Sequence, residues 1–232
     1  MLRLENCLIE NGDFRLAADL SVEAGRFVAV LGPSGEGKTT LLEAIAGFLP
    51  VTQGSISWNG TPLGDTHPGD RPVAMLFQEE NLFPHLTAAQ NVGLGLKPNL
   101  RLTASELAQV AEALERVGLS GLEARKPGAL SGGQRARVAL ARLMVQRRAL
   151  FLLDEPFAAL GPALKAEMLG LVADLARESG ATVLMVSHDP GDARLVADEV
   201  IFVDGGQAHP PAATAGLFEN PPPALRAYLG EG

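Results

Sequence analysis

Eight consecutive residues restrict the fold of this chain more than any other feature. Gly32-Pro33-Ser34-Gly35-Glu36-Gly37-Lys38-Thr39 spells G-x-x-x-x-G-K-[ST] without a gap. It follows an apolar run, Phe27–Leu31, and precedes a segment in which Leu41, Leu42 and Ile45 share one helical face. Such a strand–loop–helix unit wraps backbone N–H groups round phosphate oxygens, with the helix N-terminus adding partial positive charge. Lys38 supplies a full charge to terminal phosphates, and the Thr39 hydroxyl can ligate Mg²⁺. A glycine-rich turn with a merely exposed lysine is the bland alternative, and the flanking strand and helix disfavour it.

The rest of the chain fits such a unit. Val73–Phe77, Leu150–Leu153 and Val183–Val186 are also continuously apolar, as strands buried on both faces are. Helical patterns separate them. Thr103 and Glu106 form a capping box ahead of Leu107, Val110, Ala111, Leu114 and Val117. Pro162 suits the first turn of a helix carrying Leu164, Met168, Leu171, Val172 and Leu175. The alternation predicts an α/β fold, a P-loop NTPase core with a mostly parallel sheet and helices on both faces. Phe14, Leu16, Ala18, Leu20 and Val22 alternate with polar residues, and Asn59-Gly60 reads as a hairpin turn, so an antiparallel β subdomain is expected at the N-terminus. The helix-rich stretch from about 78 to 128 reads as an inserted helical subdomain within a single domain spanning 1–232. The proline-rich tail from His209 to Pro223 reads as a surface wrap or a loosely ordered end.

Two further strand ends carry chemistry. Leu150–Leu153 leads into Asp154-Glu155-Pro156. Ligands of parallel sheets sit beyond the carboxyl ends of strands. Asp154 there can hold Mg²⁺, and Glu155 can serve as general base toward water. Thr182–Val186 leads into Ser187-His188-Asp189, where His188 can contact a γ-phosphate; the alternative is that Asp189 and Pro190 simply begin a helix. Leu130-Ser131-Gly132-Gly133-Gln134 begins another helix, with Val138, Ala141 and Val145 inward and Arg135, Arg142 and Gln146 outward. Ser131 and Gln134 form a capping box, but two glycines suggest close approach by something outside the helix. A head-to-tail pair of chains could hold two nucleotides, each between one phosphate loop and one such turn.

Net charge is −8, with no Lys/Arg block, which argues against nucleic-acid backbone binding but not against one nucleotide. One cysteine, Cys7, excludes an internal disulfide and fits a reducing compartment. The first residues carry charges, so no signal peptide is expected. No apolar run is long enough to cross a bilayer.

These motifs, in this order, resemble the ATP-binding subunits of ATP-binding-cassette (ABC) transporters over nearly the whole length. The resemblance implies ATP and Mg²⁺ as cofactors, bound by Gly32–Thr39, the adjoining Thr40, and Asp154. It makes Glu155 the catalytic glutamate, His188 the switch histidine, and Ser131–Gln134 the signature acting on the partner's nucleotide. Gln78 matches the glutamine that senses Mg²⁺ and contacts the membrane subunit. Implied partners are a second copy arranged head to tail, transmembrane permease subunits and, indirectly, a periplasmic solute-binding protein. The implied location is peripheral, on the cytoplasmic face of the inner membrane.

Residues Arg71–Leu96 are similar to the thiamine-importing branch in Gram-negative bacteria, implying thiamine or its phosphates as cargo. Importers of iron, sugar or polyamine, and soluble non-transport members, are the alternatives. Leu82, Phe83 and Leu86 offer apolar area to a partner helix. Two departures stand out. Gly161 occupies the position of the family's aspartate after Ala159-Leu160. Near the expected adenine-stacking aromatic stands Asn11-Gly12-Asp13, with Phe14 either stacking on the base or facing inward from its strand.

Overall fold

The computed structural model describes residues 1–77 and 81–230. Gln78 lies outside the described residues. In chain order the strands and helices are β1 (Leu2–Asn11), β2 (Phe14–Val22), β3 (Phe27–Leu31), α1 (Lys38–Ala46), β4 (Val51–Trp58), β5 (Thr61–Pro62), β6 (Val73–Leu76), α2 (Ala88–Gly93), α3 (Ala104–Arg116) and α4 (Gly132–Val145). Then follow β7 (Leu150–Asp154), α5 (Pro162–Ser179), β8 (Thr182–Val186), α6 (Pro190–Val196), β9 (Glu199–Asp204), β10 (Gln207–Ala208), β11 (Ala212–Ala213), α7 (Thr214–Glu219) and α8 (Pro223–Leu229).

The strands join in the order β5-β4-β1-β2-β10-β9-β3-β8-β7-β6, with β11 on β9. The stretch β9-β3-β8-β7-β6 is parallel throughout. The N-terminal strands are antiparallel, as their alternating pattern requires. Two-residue β10 links the two parts, parallel to β2 and antiparallel to β9. Asn59 and Gly60 both take positive φ in the β4–β5 hairpin.

Strands β3, β7 and β8 are buried at every residue, as their unbroken apolar composition demands. Val73–Phe77 departs from that expectation. β6 stands at the sheet edge and stops at Leu76, and only Ala74 and Leu76 are fully covered. The run Val200–Val203, buried in β9, is a central strand that the sequence reading passed over.

Helices α2, α3 and α4 pack on one another, and α4 packs on β6. Each begins with a two-way capping box: Thr87–Gln90, Thr103–Glu106 and Ser131–Gln134. In α3 the core face is Val110, Ala113 and Leu114, followed by Val117. Leu107 and Ala111 face out, because the stripe is narrower than the apolar composition suggests. Fully buried Asn91 in α2 accepts from Phe83 N–H at 2.8 Å and donates to the carbonyls of Phe83, Leu86 and Thr87, shaping the segment before it.

The tail is not a loose end. Residues 209–223 supply β11 and α7, and Pro223 opens α8 at its first turn. Leu225 is fully buried among Ala29, Leu31, Ala193, Val200 and Phe202. The prolines mark helix starts and turns here, and Leu217, Phe218, Leu225 and Tyr228 supply an apolar face that the proline count obscured. No helix among the described residues is long and apolar enough to cross a membrane.

Candidate functional site

The site forms where β3, β7 and β8 end side by side. β3 runs into the phosphate loop. Gly32 has φ +150°, and a Cβ on it would stand 2.0 Å from the Val203 carbonyl oxygen of β9, so only glycine fits. Gly37 has φ +95° and caps α1 without a side-chain hydrogen bond, which leaves the first N–H groups of the helix for an anion. At the other end of α1, Gly47 takes the left-handed cap.

Lys38 is 5% exposed. Its ammonium donates to the carbonyls of Gly32 at 2.8 Å and Pro33 at 2.7 Å. Burial lowers its pKa from the ordinary lysine value, while the nearby carboxylates of Glu155, Asp154 and Glu36 oppose that shift. The Glu36 carboxylate accepts from the Gly206 N–H at 3.2 Å. It ties the loop to the turn before β10.

At the end of β7, the Thr39 hydroxyl donates to the Asp154 carboxylate at 3.1 Å. Asp154 is 8% exposed. Burial raises its pKa, and adjacent Glu155 pushes the same way against the Thr39 hydrogen bond, Lys38 and His188. Glu155 takes φ +47°, a left-handed conformation uncommon outside glycine, and its N–H donates to the Val186 carbonyl at 3.2 Å. Such a backbone costs about 1–3 kcal/mol and persists only where the surroundings enforce it. It aims the Glu155 carboxylate at the end of β8, where Oε1 lies 2.5 Å from Nε2 of His188. Asp189 caps α6, so the helix start and the placement of His188 coexist.

A depression of about 240 Å³ gathers Phe14, Ser34, Lys38, Thr39, Glu155 and His188 along its lining. The structure therefore brings the three strand ends together. Phe14 fits the inward-facing reading in part. Its ring is half-buried against the β2 core, and a Cβ on Gly37 would lie 2.6 Å from it. None of Ser131–Gln134 lines this depression. Ser131 and Gln134 instead cap each other's backbone, at 3.0 and 3.3 Å. At Gly133 the close approach comes from the same chain: a Cβ there would meet Leu164 at 2.4 Å. Gly132 faces open space apart from the tip of Arg135. Arg142 is not simply outward; it is partly buried and donates to the Asn81 carbonyl at 2.8 Å. A larger cleft, about 490 Å³, lies between α3, α4 and α5, and no phosphate-loop residue lines it.

Lys165 of α5 escaped the sequence reading. Its ammonium reaches Asp189 at 3.0 Å and Asp192 at 2.7 Å. Burial lowers its pKa, but the two carboxylates outweigh burial and leave it raised. Ser187 donates to Asp192 and accepts from the Asp189 N–H, so the segment around His188 is pinned from below. The signal was faint: two acids three apart on a helix start, and one lysine in another helix.

Residues 17–158 match the ABC transporter family. The chain is 61% identical to the thiamine import ATP-binding protein ThiQ of Ruegeria sp. (strain TM1040), over 99% of this chain and 100% of that one. The protein of the same name from Cereibacter sphaeroides is also 61% identical over the same shares, and that from Brucella suis biovar 1 is 51% identical over 99% and 96%. Among solved structures, the dimeric post-hydrolysis state of the ATP-binding cassette MJ0796 bound to ADP and Pi superposes with a TM-score of 0.80 at 29% identity, covering 92% of this chain and 99% of that one. The chain belongs to the ABC transporter family, as one of its ATPase cassettes.

Proposed function

We propose that this chain hydrolyses ATP to drive thiamine import through a membrane permease. The observation that carries the chemistry is the 2.5 Å contact between Glu155 and His188, beside the 3.1 Å contact between Thr39 and Asp154, at the mouth of the phosphate loop. The loop N–H groups and Lys38 hold the β- and γ-phosphates. The Lys38 ammonium rests on the carbonyls of Gly32 and Pro33 within the loop, which supports that role. The Glu155 carboxylate takes a proton from the water that attacks the γ-phosphorus, giving ADP and inorganic phosphate. His188 orients that carboxylate and reaches the γ-phosphate.

Thr39 and Asp154 would hold Mg²⁺. Their hydroxyl and carboxylate oxygens are the hard donors that this ion takes, already within hydrogen-bond reach of each other. The ion supplies charge neutralisation for the phosphates. The same charge would offset what burial imposes on an ionised Asp154. Gln78 is proposed to complete this region.

The depression is an open one, and none of Ser131–Gln134 lines it. That supports a site completed by a second copy, head to tail, with Ser131–Gln134 supplied across the interface. The dimeric state named for the structural neighbour is consistent with this. The helical stretch from about 78 to 128 is proposed as a subdomain inserted in a single ATPase domain. In it Phe83 is 47% exposed, beside half-buried Leu82 and Leu86, a surface for a permease helix. A peripheral position on the inner membrane's cytoplasmic face follows from that docking, with a periplasmic binding protein delivering the solute to the permease.

The cargo rests on the name shared by relatives 61% identical over the full length. The test is ATP turnover of the chain reconstituted with its permease and binding protein. Thiamine-loaded binding protein should stimulate turnover; stimulation by iron, sugar or polyamine alone would reassign the cargo.

A further inference from the structure

The last helix reaches the reacting pair. Leu225 anchors α8 against β3, the strand that feeds the phosphate loop, and against α6 and β9. Tyr228 lies three residues on, on the same helical face. Its ring packs against Phe202, centroids 5.9 Å apart and planes tilted by 58°. Its hydroxyl donates to the backbone carbonyl of His188 at 2.9 Å. Burial, and then the carboxylates of Asp189 and Glu155, raise the pKa of that hydroxyl, which keeps it a donor.

On the other side, Lys165, Asp192 and Ser187 fix the residues flanking His188. The His188 ring itself is 43% exposed and touches Glu155 through Nε2. Its aim therefore depends on how its own peptide is held. We propose that Tyr228 is a positioning residue for His188: its hydroxyl fixes the His188 carbonyl, which sets the approach of the imidazole to Glu155. ATP turnover then depends on the seating of α8, at the far end of the chain. This rests on the reading of Glu155 and His188 as the reacting pair.

Tyr228→Phe in the full chain removes only the oxygen and keeps the ring on Phe202. Its kcat should fall about two- to tenfold, the factor matching one ordinary hydrogen bond, with the KM for ATP unchanged. In single-turnover measurements with enzyme in excess, adding Tyr228→Phe to His188→Ala should cause no further loss, since the two act as one unit. An unchanged kcat overturns the inference, and so does a loss that persists undiminished in the His188→Ala chain. Glu155→Gln run alongside separates the two claims. Full turnover in that variant overturns the underlying reading and this inference with it. An inactive Glu155→Gln beside a fully active Tyr228→Phe overturns the inference alone.

Discussion

Oε1 of Glu155 and Nε2 of His188 stand 2.5 Å apart although the residues follow different strands. β7 and β8 are hydrogen-bonded neighbours, paired from Leu150↔Thr182 to Asp154↔Val186. Equal strand lengths in register bring the residues that follow, Glu155 and His188, to the same end of the sheet. The left-handed turn at Glu155 then swings its carboxylate across to the neighbouring strand end. The contact is thus a product of sheet register and one strained residue.

Asp154 offers a test in which binding and stability move oppositely. Its pKa is raised, chiefly by burial. A carboxyl with a raised folded-state pKa contributes stability that is fully present below the unfolded value and is lost as pH rises through the folded one. At neutral pH the ionised group therefore opposes folding of the nucleotide-free chain. Asp154→Asn should raise its Tm at pH 7, by about 2–4 °C for each kcal/mol relieved, and the gain should vanish at low pH. The same variant should lose the Mg²⁺-dependent part of ATP binding. Thermal unfolding across pH, with and without Mg·ATP, reads both effects.

Gly161 is not required by space or backbone. It takes φ −66°, and a Cβ there would meet nothing within 4 Å. It also caps α5 without a side-chain bond, a position that aspartate suits. Gly161→Asp should therefore leave the fold intact or stabilise it by about 0.5 kcal/mol. If the two sites of a dimer communicate through this position, the dependence of rate on ATP concentration should change. The Hill slope of ATP turnover in the assembled dimer checks this; an unchanged slope would place coupling elsewhere.

Arg71 is a buried cation whose hydrogen bonds go to backbone carbonyls. It is 5% exposed, and Nη1 donates to the carbonyls of Ala44 and Ile45, in the last turn of α1, at 3.0 and 2.8 Å. Nε donates to Thr66 at 3.1 Å. It thus caps the helix that begins at the phosphate loop. Arg71→Ala should destabilise the chain by about 2–4 kcal/mol, from lost charged hydrogen bonds and a desolvated Ile45 carbonyl, whereas the Ala44 carbonyl keeps the Gly47 N–H. Arg71→Lys should recover only part, because one ammonium cannot reproduce the fork. Urea unfolding of both variants measures this.

What the sequence disclosed divides along physical lines. The phosphate loop is legible because its requirements are local: φ beyond the reach of side chains, a strand before and a helix after. Asp154, Glu155 and His188 are legible because buried parallel strands announce themselves, and their ends converge by the geometry of the sheet. Lys165 with Asp189, Tyr228 with His188, and Arg71 with Ala44 were not, because the partners lie 24, 40 and 27 residues apart with no periodic signal between them. Of the two readings of the proline-rich tail, the ordered surface wrap fits and the loose end does not, because the prolines start α8 and precede a buried leucine. The two glycines of the Ser131–Gln134 turn suggest close approach by something outside the helix, and at Gly133 Leu164 of the same chain makes such an approach, a contact between elements distant in sequence.

The most direct test of the central claim is steady-state Mg·ATP hydrolysis by Glu155→Gln, with ATP binding measured on the same preparation. The amide keeps the shape of the side chain and removes the proton acceptor. The account predicts retained ATP binding and turnover reduced by about 10²–10⁴-fold, the contribution of a positioned general base. Turnover within a few-fold of the unmodified chain would contradict it.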